Sequence, residues 1–230
     1  MQKNYLYIND SNVDRDWAVV VLPEIYGLHK FIKSTVDKFA NEFRVLSIAV
    51  DHLYSATGKA ELFDYNTQSD QAIATMNQVT GEGFLQLLTE TLDDIQKQYP
   101  NIKHFVVNGF CFGGRLAFLS GVDKRVSKII SYYGGGPHVS FYNDKGSVET
   151  LAKARGGDKT LSVLAFYGEE DGMIPASDRQ KTKELLTDAN ISYQSNVFPT
   201  GHAFANFERA SYNEAAANNA WVEVQKFLAG

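Results

Sequence analysis

Apolar and polar positions along the chain follow two periodicities. Six apolar runs, most of them rich in β-branched residues, have the length of strands: residues 17–22, 45–50, 104–107, 129–133, 161–167 and 193–198. Between most of these runs, apolar residues recur every three or four positions, as in amphipathic helices: residues 29–42, 83–99, 113–120, 177–189 and 215–228. Strands that alternate with helices pair in parallel through right-handed crossovers. The pattern therefore predicts an α/β fold with a mostly parallel central sheet, helices on both faces, and strands that are apolar on both sides.

Two segments interrupt this alternation. Residues 54–83 are rich in Thr, Gln, Asn and Asp, and residues 134–158 contain three consecutive glycines followed by a proline. We expect the first segment to run over the surface, either as a lid or binding loop or as a plain solvated insertion. Neither segment indicates an interdomain linker. With 230 residues and 44% hydrophobic content, the chain is predicted to form one domain, residues 1–230.

Composition narrows the possible partners. The formal net charge is −5 and the basic residues are scattered along the chain. We therefore expect a small-molecule substrate, and we expect the protein to bind neither nucleic acid nor an anionic membrane. A single cysteine excludes an intramolecular disulfide and a multi-cysteine metal site, and we expect no metal and no organic cofactor. Residues 1–16 are polar and acidic, unlike a signal peptide, which predicts a cytoplasmic protein. Both a monomer and a homodimer are compatible with this composition.

The lone cysteine lies in a glycine frame. Residues 108–114 have the sequence Asn-Gly-Phe-Cys-Phe-Gly-Gly, after a predicted strand and before a predicted helix. This context is typical of the nucleophile elbow of α/β-hydrolases, with Cys111 in place of the usual serine. The positive end of the following helix favours a thiolate at this position. A buried cysteine that only packs is the alternative; a phosphate-binding loop is disfavoured because its Lys-Ser/Thr ending is absent.

A carboxylate and a histidine follow later strands, in the order that an α/β-hydrolase requires. Strand 161–167 is followed by Glu169, Glu170 and Asp171, and strand 193–198 is followed by His202. A base must take the thiol proton, and a carboxylate must orient that base, so the sequence predicts a nucleophile–histidine–carboxylate triad.

Each partner has a competitor. Asp171 is preferred to Glu169 and Glu170 because it lies just ahead of an Ile-Pro turn and has a short side chain. The three carboxylates together are also compatible with a solvated acidic turn. His52 is the rival base, but it precedes the nucleophile in sequence, so we interpret it as a structural or surface histidine.

The loop after the first strong strand completes the predicted site. Residues 22–27, Leu-Pro-Glu-Ile-Tyr-Gly, occupy the position from which this fold contributes one oxyanion-hole N–H. We predict the backbone N–H groups of Ile25 and Phe112 as the two donors. By itself, Glu24 is compatible with a carboxylate that only stabilises the start of a helix.

Four segments together carry a family resemblance. Residues 23–27 (PEIYG), 109–114 (GFCFGG), 168–175 (GEEDGMIP) and 201–204 (GHAF) occur in the order found in the dienelactone hydrolase family, which the chain resembles from residue 17 to residue 228. The resemblance implies an α/β-hydrolase fold and hydrolysis of an ester or lactone through a thioester.

The resemblance also implies roles for individual residues. It implies a triad of Cys111, His202 and Asp171, and a contact between Glu24 and the thiol of the resting enzyme. Members that act on dienelactone hold the substrate carboxylate with arginines, one of them four residues after the histidine. This chain has Asn206 there. We therefore predict a related ester or lactone that lacks this carboxylate.

Three residues are predicted to contact the substrate: Arg209, as the cation near the histidine loop, and the aromatic residues Tyr133 and Phe204. Phe110 and Phe112 are further candidates for pocket walls, and core packing explains all four aromatic residues equally well. Two other functions use the same chemistry. One is acyl transfer or thioester cleavage by the same triad; the other is a non-catalytic binding protein or redox sensor with Cys111 as its switch.

Overall fold

The computed structural model describes residues 3–11 and 13–229, so both ends of the predicted domain 1–230 lie outside the described residues. Within these described ranges, seven strands form one sheet in the order β1-β3-β2-β4-β5-β6-β7. Their bounds are Leu6–Asn9 (β1), Trp17–Leu22 (β2), Leu46–Val50 (β3), His104–Phe110 (β4), Val126–Tyr132 (β5), Ser162–Gly168 (β6) and Ser192–Phe198 (β7). Neighbouring strands pair in parallel except β1, which runs antiparallel to β3.

In the described part of the chain, eight helices connect and cover the strands. Their bounds are Lys30–Phe43 (α1), Tyr54–Thr57 (α2), Ser69–Met76 (α3), Gly81–Gln98 (α4), Phe112–Ser120 (α5), Ser147–Arg155 (α6), Ala176–Asp188 (α7) and Glu214–Ala229 (α8). Helices α4, α5, α6 and α7 contribute to a core on one face of the sheet, and α1 and α8 to a core on the other. Among the described residues, no helix combines the length and apolarity needed to cross a membrane.

The central strands are apolar on both faces because each face is covered by helices. Along β2, Val20 belongs to the first core, whereas Val19 and Val21 belong to the second. The edge strand β7 differs from the prediction, since most of its residues are exposed or only partly buried. The carboxyl ends of the parallel strands lie along one edge of the sheet, and the loops that carry chemistry meet there.

The structure corrects the interpretation of both interrupting segments. Residues 54–83 contain α2, α3 and the start of α4, and residues 134–158 contain α6. Helix α3 buries only Ala72, so it leaves almost no apolar periodicity in the sequence. The short strand β1 was also not predicted, because all four of its residues are only partly buried at the edge of the sheet.

Candidate active site

Cys111 lies at the turn between β4 and α5, with φ 53° and ψ −118°, a backbone conformation that L-residues rarely adopt. The turn is tight enough to require glycine on either side. A Cβ atom on Gly109 would lie 2.0 Å from the carbonyl oxygen of Gly113, and one on Gly113 would lie 2.4 Å from that of Pro23. The glycine frame therefore brings the cysteine turn and the end of β2 into direct backbone contact.

His202 and Asp171 meet at the same edge of the sheet. The imidazole Nδ1 is 2.7 Å from Asp171 Oδ2, and the Asp171 side chain is completely buried. The other carboxylate oxygen accepts a hydrogen bond of 2.9 Å from the backbone N–H of Met173. Because Nδ1 donates to Asp171, the imidazole tautomer leaves Nε2 free to accept a proton.

Electrostatics favours the charged form of this histidine. Burial lowers the pKa of His202, but the hydrogen bonds and negative charges of Asp171 and Cys111 outweigh it and raise the pKa to about 10. Among the described residues, the buried Nε2 of His202 has no hydrogen-bond partner, so this nitrogen is available to the thiol or to a substrate. The arrangement stabilises an imidazolium at His202.

Glu24 lies in the same cluster, only 4% exposed. Its Oε2 accepts a hydrogen bond of 3.1 Å from the side-chain amide of Asn206, which also donates to the Tyr65 hydroxyl over 3.2 Å. Burial raises the pKa of Glu24, and the positive charge of Arg209 is the largest influence in the opposite direction. Asn206, at the position of a family arginine, thus binds the glutamate through a neutral amide.

Arg209 packs against two tyrosine rings that also contact each other, with ring centroids 4.7 Å apart. Its guanidinium carbon lies 4.9 Å from the ring centroid of Tyr26 and 4.8 Å from that of Tyr65. Tyr65 comes from the segment 54–83, which therefore contributes to the site. Sequence reasoning missed Tyr26 and Tyr65, because no local pattern indicates which tyrosine a distant arginine will stack on.

The two predicted aromatic contacts are both fully buried. Tyr133 has φ 40°, its ring lies 5.0 Å from that of His202, and the charges of Glu24 and Cys111 help to raise its pKa. Phe204 packs 5.4 Å behind the Tyr133 ring. Neither side chain exposes surface in this structure, and contact of Tyr133 and Phe204 with the substrate stays a prediction.

The predicted oxyanion donors belong to adjoining loops. Among the described residues, neither the Ile25 nor the Phe112 backbone N–H has a hydrogen-bond acceptor. His52 forms a hydrogen bond to the loop that contains Ile25. Its Nε2 donates to the Pro23 carbonyl over 3.0 Å. Burial lowers the pKa of His52 to about 4, so this histidine is neutral at physiological pH and has a structural role.

Comparisons with known proteins identify a family and a fold. The model of the dienelactone hydrolase family matches residues 3–230. A Synechocystis sp. protein assigned the name carboxymethylenebutenolidase is 28% identical over 215 residues, which cover 92% of this chain and 85% of that protein.

Two solved structures are also similar. A Klebsiella pneumoniae protein assigned as a dienelactone hydrolase is 25% identical, with a TM-score of 0.74 over 92% of this chain and 86% of that chain. A dienelactone hydrolase-like promiscuous phosphotriesterase from metagenomic libraries shares the fold, with 20% identity and a TM-score of 0.65 over 92% of this chain and 85% of that chain.

Proposed function

Because the chain belongs to the dienelactone hydrolase family and is a carboxylic ester hydrolase of that type, we propose that it cleaves an ester or lactone through a Cys-His-Asp triad and a thioester intermediate. Cys111 is the nucleophile, His202 its base, and Asp171 the group that orients the base. One observation carries the proposal: the His202 imidazole binds the buried Asp171 carboxylate over 2.7 Å at the edge of the sheet where the strained Cys111 turn lies.

In the first half of the reaction, the Cys111 thiolate attacks the substrate carbonyl carbon while His202 holds the thiol proton. The carbonyl π electrons move onto oxygen, and the N–H groups of Ile25 and Phe112 stabilise the resulting oxyanion. Collapse of this intermediate breaks the ester C–O bond. His202 gives its proton to the departing alkoxide, which leaves as an alcohol or, for a lactone, remains attached as a hydroxyl.

In the second half, His202 takes a proton from water and the hydroxide attacks the thioester carbonyl. Collapse releases the carboxylic acid and returns the sulfur to its thiolate form beside the imidazolium. The ion pair favoured by the surroundings of His202 is therefore the state in which each cycle begins and ends.

We propose that Glu24 controls the thiol before substrate arrives. Its carboxyl is buried in the same cluster, and burial raises its pKa, which favours a neutral acid that can exchange a proton with a nearby thiolate. Arg209 opposes this effect, so a substrate that draws on the charge of Arg209 would alter the protonation of Glu24.

Arg209 is the proposed contact for the polar end of the substrate. Its positive charge interacts with the Glu24 carboxylate, and its guanidinium packs against the rings of Tyr26 and Tyr65. Asn206 provides no second positive charge at the family position. We therefore expect a related ester or lactone that does not depend on a carboxylate for binding.

Hydrolysis of p-nitrophenyl acetate and of a small lactone panel, including dienelactone, tests the triad. We expect turnover by the wild type and none above background for Cys111→Ala, with mass spectrometry showing a trapped acyl group on the wild type only. Turnover that persists in Cys111→Ala would refute the proposed nucleophile. A thiol that is readily oxidised or alkylated in a protein without turnover would support the sensor function instead.

A matched pair of esters tests Arg209. The acetate and the hemisuccinate of p-nitrophenol differ in one carboxylate, and we expect kcat/KM values within about threefold of each other for the wild type. Arg209→Gln should lower both to a similar extent. A preference of tenfold or more for the hemisuccinate that disappears in Arg209→Gln would show carboxylate recognition and contradict the expected substrate class.

A further inference from the structure

A cavity lies on the face of the sheet that α1 and α8 cover. Its volume is about 150 Å³, and neither Cys111, Asp171 nor His202 lines it. A cavity of roughly this size in a protein core accommodates a benzene ring. Its rim includes Tyr212, which is 39% exposed, so the cavity communicates with the surface.

Asn108 forms the polar floor of this cavity. It lies inside β4, in register with Val21 of β2 and Ile130 of β5, and it is completely buried. Among the described residues, neither the oxygen nor the nitrogen of its side-chain amide has a hydrogen-bond partner. Burying an amide without partners is costly, and an apolar residue at this position would avoid that cost. The amide therefore indicates a ligand with complementary polar groups.

Aromatic side chains form much of the cavity wall, beside the polar Ser34, Thr35, Lys38 and Asn218. Phe110 stacks on Tyr132 with ring centroids 4.8 Å apart and meets the edge of Phe31 over the same distance. Trp221 of α8 closes the opposite side, and the Lys38 amine lies 4.1 Å above its ring. These surfaces favour a flat aromatic molecule over a flexible chain.

We propose that this cavity is a second binding site, for a small uncharged aromatic amide or lactam. Such a molecule places a hydrogen-bond donor beside an acceptor, which matches both halves of the Asn108 amide. A carboxylate would be attracted by the Lys38 amine at the wall, but it offers only acceptors and would leave the Asn108 oxygen facing a like group. The alternative occupant is water, which would also form hydrogen bonds with Asn108 but would make no favourable contact with the aromatic walls.

Trp221 provides a direct readout. The chain has two tryptophans, and Trp17 lies outside the cavity, against Phe43. In a Trp17→Phe background, titration with benzamide should change Trp221 fluorescence saturably, and benzoate should bind at least about tenfold more weakly. Cys111→Ala in the same background should bind benzamide with an unchanged Kd, because the site is independent of the nucleophile.

Two variants locate the bound probe. Asn108→Leu preserves the side-chain size but removes donor and acceptor, and it should raise the Kd for benzamide at least about tenfold. Ala217→Leu, on α8, should fill the cavity and abolish binding while α8 stays intact; thermal unfolding checks that each variant folds. If Asn108→Leu does not fold, Ala217→Leu decides. The proposal is overturned by the absence of saturable benzamide binding, or by binding that folded variants of both positions leave unchanged.

Discussion

The close backbone approach between Gly113 and the end of β2 leads to a sharp prediction for Gly113→Ala. The added Cβ atom would lie 2.4 Å from the Pro23 oxygen, 2.5 Å from the Leu22 oxygen and 2.8 Å from the Leu22 carbonyl carbon. Ordinary van der Waals contact begins at 3.4 Å, so the end of β2 and the cysteine turn must separate by about 1 Å (3.4 − 2.4). Backbone atoms on both sides leave no side chain free to move away.

The separation acts on catalysis through the proposed oxyanion site. Ile25 is two residues after Pro23, and Phe112 directly precedes Gly113, so the two N–H groups move apart. Misplacing a reacting group by about 1 Å costs roughly 10²-fold in rate, and losing one oxyanion donor costs about 10²–10³-fold. We therefore expect kcat to fall by about 10²–10³-fold, with a destabilisation of about 1–3 kcal/mol from overpacking.

The chain offers matched controls. Gly172 and Gly201 directly follow Asp171 and directly precede His202, and a Cβ atom on either would meet nothing within 4 Å. Ester hydrolysis by folded Gly172→Ala and Gly201→Ala should stay within a few-fold of the wild type. The reasoning is refuted if folded Gly113→Ala also keeps kcat within a few-fold, or if the control variants lose as much activity as Gly113→Ala does.

Three further predictions follow from the same structure. Asp171→Asn should lower kcat by about 10⁴-fold while the protein stays folded, because an amide stabilises the wrong imidazole tautomer; a loss below tenfold would contradict the orienting role. Since the folded-state pKa of His202 is raised from 6.5 to about 10, its stabilisation is fully present below pH 6.5 and lost as pH rises through about 10; urea unfolding of the wild type against His202→Gln should show that decline. Arg155 is buried and donates from Nη1 to the carbonyls of Gly121 and Asp123, so Arg155→Leu should cost about 3 kcal/mol in unfolding free energy with kcat unchanged.

Most strands of the sheet could be predicted from the sequence. Strands β2, β3, β5 and β6 are apolar because helices cover both faces, so each leaves a run that is visible without coordinates. Elements that bury little left no such signal. Helix α3 buries one alanine and strand β1 none of its residues completely, and neither was predicted.

Chain order and local motifs also indicated which groups could react. A glycine-framed cysteine after one strand, an acidic loop after another and a histidine after a third meet at one edge, because parallel strands end together. Local sequence could not identify Tyr65 and Tyr26 as the rings around Arg209, since these contacts join segments far apart in the chain.

Tertiary structure alone decided the environment of each group. Two predicted pocket residues, Tyr133 and Phe204, proved to be wholly buried, and Asn206 proved to bind Glu24. The sequence likewise did not indicate that the Asn108 amide, in a strand of apolar neighbours, would lack hydrogen-bond partners among the described residues. Residue types and their spacing determine which elements form and which groups can do chemistry, because these depend on local periodicity. Burial, charge and hydrogen-bond partners depend on residues distant in sequence, so only the folded chain determines them.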